Sequence, residues 1–62
     1  MDKKFILYVK EYGYYAPNLK YADMWNITSK KGARRLSIGQ AIKVKRWLTD
    51  GGYEVKIKGA EE

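Results

Sequence analysis

Neither a cysteine nor a histidine occurs in this chain, and at 62 residues that absence decides what can hold a fold together. A domain this short buries only about 60% of the surface its unfolded form exposes. Disulfides or a structural metal are the usual supplements. Without thiols or imidazoles, the disulfide and the ordinary zinc site are both excluded. Stability has to come from side-chain packing, for which nine aromatics and 45% hydrophobic residues supply the material. Self-association is the remaining supplement, so a monomer or a weak homodimer is expected. The chain reads as one domain over 1–62, ordered over about 3–58 once fraying at the ends is allowed for.

Phe5-Ile6-Leu7-Tyr8-Val9 is the longest apolar run, far short of the ~18 residues of a membrane span. It suits a strand through Lys10 that is buried on both faces and therefore central. Gly13 and Pro17-Asn18 bracket Tyr14-Tyr15-Ala16 with turn chemistry. A second strand is expected from near Leu19 toward Ile27, interrupted at Asp23. Ser37-Ile38-Gly39-Gln40 has the form of a capping box. At about 100° per residue, Ile38, Ala41, Ile42, Val44 and Leu48 share one arc. Lys45 falls inside that arc and has to carry its charge outward, and Trp47 lies beside it. Asp50-Gly51-Gly52 supplies the C-terminal stop. Tyr53, Val55 and Ile57 alternate with Glu54, Lys56 and Lys58 as a half-buried strand. The predicted fold is α+β, in the order β-β-α-β: a three-stranded antiparallel sheet of order 2-1-3 with one helix packed on one face.

Catalytic chemistry is poorly supplied. General acid–base work at neutral pH uses His or a carboxylate of raised pKa, and the acids here are scattered, most of them at turns, chain ends or outward strand positions. Thiolate and Gly-rich phosphate loop are both missing, and Ser37 is accounted for as a helix cap. The expectation is no enzyme, no cofactor and no metal. With no membrane segment or recognisable leader, a cytoplasmic location is expected.

The net charge of +6 is concentrated in the middle of the chain. Between Met24 and Thr49 stand seven Lys or Arg and no acid, against six bases and seven acids elsewhere. Such asymmetry points to an anionic partner, and the bland alternative is a solvated basic face. Lys30, Lys31, Arg34 and Arg35 run into the helix N-terminus, where free N–H groups favour anions. Lys43 and Arg46 point away from the apolar arc near Trp47, and they equally complement the helix dipole. Tyr8, Tyr12, Tyr14, Tyr15 and Tyr21 exceed what so small a core has to bury. On an open sheet face they could stack bases or anchor a protein interface, although tyrosine is also simply a good strand residue.

Tyr14, Tyr15, Ala33, Leu36, Ser37, Ala41, Leu48, Gly52, Tyr53 and Val55 form a pattern that resembles small proteins of phages and prophages. The pattern is a Tyr-rich hairpin, a Ser-capped helix and Gly-Tyr-x-Val. The resemblance implies a viral origin and carries no catalytic or binding residue across. Two functions are therefore expected in competition. One is nucleic-acid binding to the phosphate backbone through Lys30, Lys31, Arg34, Arg35, Lys43, Arg46 and Trp47. The other is a protein-interaction module that docks on a host protein through the open sheet face or the edge strand near Leu19–Ile27, with Tyr and Trp as anchors.

Overall fold

Phe5–Val9 forms β1, and its composition explains its place. Leu7 and Val9 are fully buried toward a helix, Ile6 is buried toward the other face, and only a strand with neighbours on both sides uses such a sequence. Val55–Gly59 forms β4 and pairs antiparallel with β1, with Leu7 opposite Ile57 and Val9 opposite Val55. This is the pairing and the central position expected from the sequence. The structure is a computed structural model and describes residues 3–21 and 23–61.

The number of strands differs from expectation. Among the described residues the sheet has four, in the order β3-β2-β1-β4, because Gly13–Pro17 is itself strand β2 and Trp25–Thr28 is β3. The β1–β2 turn is made by Lys10, Glu11 and Tyr12, with Tyr12 N–H donating to the Val9 carbonyl at 3.0 Å and Glu11 at φ 75°. Gly13 follows at φ 139°, and a Cβ there would stand 2.7 Å from Ile27 Cγ2. Pro17 closes β2, where the ladder needs no further donor.

The segment expected to begin the second strand at Leu19 is a loop instead. Asn18 Oδ1 accepts from the N–H groups of Lys20 and Tyr21 at 2.9 and 3.1 Å, a side-chain-built turn that leaves Leu19 93% exposed. That strand's expected span crosses residue 22, which lies outside the described residues; its final part, from Trp25, is β3.

Beyond Tyr8 and Tyr14 the paired strands β1 and β2 separate, and the chain after β3 fills the gap. A 3-10 turn at Lys30–Gly32 leads into an extended stretch. Arg34 N–H donates to the Tyr15 carbonyl at 3.1 Å, and Leu36 exchanges two bonds of 2.8 Å with Phe5. One short segment thus satisfies backbone groups of both diverging strands.

Helix α1, Ile38–Asp50, starts at the expected capping box, with Ser37 Oγ accepting from Gln40 N–H at 3.3 Å and Gln40 Oε1 accepting from Ser37 N–H at 3.3 Å. It ends in a Schellman arrangement: Tyr53 N–H reaches the Leu48 carbonyl, Gly52 N–H reaches Thr49, and Gly52 takes φ 96°. The helix lies against β1 and β4. Its inward stripe is narrower than the predicted arc. Ala41 and Leu48 are buried and Val44 half-buried, whereas Ile38 and Ile42 are 49% and 54% exposed. Tyr15, Trp25 and Tyr53 fill the rest of that side of the sheet, with Trp25 edge-on to Tyr53 at 5.1 Å, so α1 has less surface to cover.

Candidate nucleic-acid interface

Strand alternation puts Tyr8 on the face opposite Leu7 and Val9, away from α1. The register then aligns four side chains in one row across the sheet: Lys56 on β4, Tyr8 on β1, Tyr14 on β2 and Thr28 on β3. The Tyr8 and Tyr14 rings are half-buried, with centroids 5.2 Å apart and planes tilted by 58°. Lys58, on the same face as Lys56, holds its ammonium 4.8 Å from the Tyr8 centroid and 5.9 Å from that of Tyr14. Both distances fall within cation–π range.

Beside this row, Ile6 lines a shallow depression together with Lys30, Lys31, Ala33, Arg35 and Ala60. The 3-10 turn therefore forms a basic rim on the same side as the tyrosines. Gly32 fits there because a Cβ would come 2.5 Å from Thr28 Oγ1. Among the described acids, Glu11, Asp23, Asp50 and Glu61 belong to turns, the helix end or the chain end. Glu54 is held by Lys10 at 3.2 Å at the hairpin end of the face. The row itself, Lys56, Tyr8, Tyr14 and Thr28, carries one ammonium, two aromatic rings and a hydroxyl, and no acid.

The basic and aromatic residues singled out in the sequence do not form one surface. Lys30, Lys31 and Arg35 join the tyrosine face. Arg34 points to the other side with Leu36, and its charge acts on the Tyr15 phenol. Lys43, Arg46 and Trp47 lie exposed on α1, across the thickness of the domain from Tyr8. The depression at the helix N-terminus is lined by Lys3, Lys4, Phe5, Ser37 and Ile38, without Arg34 or Arg35.

Tyr15 requires correction: it is 7% exposed, packs in the core against Trp25, and offers no surface. Alternation sends it to the helix side between Tyr14 and Ala16. Burial raises its phenol pKa above the ordinary 10.0, and Arg34 partly opposes that rise. Tyr12 and Tyr21 are exposed, as expected, but sit in the turns at opposite ends of β2. Tyr12 packs edge-on to Tyr53 at 5.6 Å, and Tyr21 neighbours the Lys20 ammonium at 5.6 Å.

Lys56 and Lys58 were absent from the sequence-derived set, although their alternation with Val55 and Ile57 marks them as outward. Pairing of the last strand with the first, applied to that alternation, is the signal that would have placed them beside Tyr8.

Among the described residues no three His, Cys, Asp or Glu gather to hold a metal ion, and no helix is long and apolar enough to cross a membrane. Comparison with family models, curated proteins and solved structures finds no match to this chain.

Proposed function

We propose that this chain is a non-enzymatic nucleic-acid-binding domain that meets the phosphate backbone with the sheet face opposite its helix. The observation that carries this reading is the juxtaposition of Lys56 and Lys58 with the Lys30, Lys31 and Arg35 rim around an acid-free row. Five cations on one face release counterions when they neutralise phosphates. For a single-stranded ligand, all five together correspond to a slope of about −3.5 in log affinity against log salt. Fluorescence anisotropy with labelled oligonucleotides, begun at low salt and titrated upward, tests it. Saturable binding with a steep negative slope is expected; no binding at low salt ends the proposal.

A second reading rests on a different place in the fold. Edge strand β3 carries no charged residue, and Ile27 on it is exposed, as are Leu19, Tyr21 and Met24 in the loop before it. Unguarded edges accept an added strand, which is the chemistry of a protein-docking module. A complex with one purified protein that survives nuclease treatment, with no oligonucleotide binding, is the outcome belonging to this reading.

A further inference from the structure

Resting on the nucleic-acid reading, we infer that Tyr8 and Tyr14 form a stacking platform for unpaired bases, so that the ligand is a single strand. The rings belong to adjacent strands, both half-buried, and each is held by its neighbour at 5.2 Å. Rings fixed in this way lose little conformational freedom when a base lands on them. Lys58 already marks the receptive surface. Its ammonium lies over the Tyr8 ring at 4.8 Å, where electron density is richest and where a planar base would stack. On binding, that flexible side chain swings from ring to phosphate, and Lys56 stands directly opposite Tyr8 to take a second one.

A duplex cannot use this arrangement. Its bases are stacked on one another inside the helix, and the Tyr8–Tyr14 row lies on the sheet instead of projecting into a groove. Single strands expose the π-faces that aromatic residues stack on, with little dependence on base identity. The charge pattern adds the complementary half of the recognition, because the row is bordered by cations and a single strand brings one anion per nucleotide. Deoxyribose and ribose strands share this chemistry.

The test compares single-stranded oligothymidine, oligouridine and a duplex, each of about 12 nucleotides or base pairs, which is within the site sizes of single-strand-binding sheets. Anisotropy is read at matched salt, and circular dichroism verifies that each variant is folded. Both single strands should bind more tightly than the duplex, and a difference between the two arms identifies the sugar preferred. Tyr8→Ala and Tyr14→Ala should each weaken single-strand binding by about 5- to 150-fold while leaving the salt slope unchanged. Tyr8→Phe should retain affinity, since the ring and not the hydroxyl does the stacking.

Equal affinity for duplex and single strand, with the alanine variants unaffected, overturns the platform and leaves the phosphate-binding reading standing. Absence of binding by every probe overturns both. Should an alanine variant unfold, photocrosslinking of 5-bromodeoxyuridine oligonucleotide to the unaltered protein decides. Adducts on Tyr8 or Tyr14 support the platform, and adducts confined to Trp47, Tyr12 or Tyr21 overturn it.

Discussion

Arg34 and Arg35, adjacent in the chain, send their side chains to opposite sides of the sheet. The stretch they occupy is extended, and its two anchors fix the alternation: Leu36 pairs with Phe5 toward the core, and Arg35 lines the depression beside Ile6. Charge reversal should therefore act differently at the two positions. Arg35→Glu is expected to weaken oligonucleotide binding and to flatten its salt slope by about 0.7 for a single strand, or more if the new carboxylate repels the ligand. Arg34→Glu should leave binding nearly unchanged. Anisotropy on the two single variants checks this, and equal losses from both would mean that the two side chains share one site.

Tyr15 makes the domain sensitive to alkali. Its folded-state pKa lies above 10.0 because burial disfavours the phenolate. As pH rises past 10 the unfolded chain releases a proton that the folded chain keeps, so stability falls from there up to the folded pKa. Below pH 10 the contribution is fully present. Tyr15→Phe removes this one phenol and leaves every other side chain in place. Thermal melts of the two proteins should diverge above pH 10, with the unaltered protein losing stability more steeply. Parallel curves would show that Tyr15 ionises as freely in the folded state as in the unfolded one.

The β1–β2 turn stores strain at one residue. Glu11 adopts φ 75°, a conformation that costs a side-chain-bearing residue roughly 1–2 kcal/mol. Glycine removes that cost but adds roughly 0.5–1 kcal/mol of unfolded-state entropy. The difference spans about 0–1.5 kcal/mol in favour of glycine, so Glu11→Gly should hold or raise Tm and not lower it. Gly13→Ala should do the reverse and lose more than about 1 kcal/mol, since φ 139° and the 2.7 Å approach to Ile27 both exclude a Cβ.

That turn also explains where the sequence was hard to read. Its centre is Lys10-Glu11-Tyr12, which contains no Gly, Pro, Asn or Asp, while the residues that look like turn formers terminate a strand. Gly13 opens β2 and Pro17 closes it, so the turn chemistry that brackets Tyr14-Tyr15-Ala16 hides a strand, and the sequence pattern yields three strands where the sheet has four. Strand β1, the helix ends at Ser37 and Gly51-Gly52, and the β4–β1 pairing were legible because each rests on a local pattern with a single physical solution. The site was half legible. Tyr8, Tyr14, Lys30, Lys31 and Arg35 were singled out. Their assembly with Lys56 and Lys58 depends on cross-strand register, and the opposite fates of Arg34 and Arg35 depend on where one short segment wedges into the sheet.

The helix cap is a test of packing margin. Total stability for a chain of this length is roughly 3–9 kcal/mol at the usual per-residue values. Ser37→Ala removes one side of a reciprocal pair and should cost about 1 kcal/mol, or about 4–8 °C in Tm. Gln40→Ala removes only the return bond to the Ser37 N–H and should cost less. A melt in which the two variants cost the same would mean that the Ser37 hydroxyl adds nothing beyond the box as a whole.

The two basic faces of the domain can be separated by charge neutralisation. Lys43 and Arg46 lie on the solvent side of α1, and Lys56 and Lys58 lie on the opposite face beside Tyr8. Both pairs carry two positive charges, so replacing either pair by Gln lowers the net charge equally and changes long-range attraction to a similar extent. Only contacts with phosphate distinguish them. Lys56→Gln/Lys58→Gln should reduce the magnitude of the single-strand salt slope by about 1.4, two contacts at about 0.7 each. Lys43→Gln/Arg46→Gln should lower affinity slightly at low salt and leave the slope close to that of the unaltered protein. Lys43, Arg46 and Lys56 are exposed, where stability changes stay within about 0.5 kcal/mol. Lys58, half-buried over the tyrosine rings, gives up about 0.5–1 kcal/mol of cation–π contact, so thermal melts of both double variants accompany the comparison. A slope that falls for the helix pair and not for the strand pair would move the interface to the face of α1 that carries Trp47.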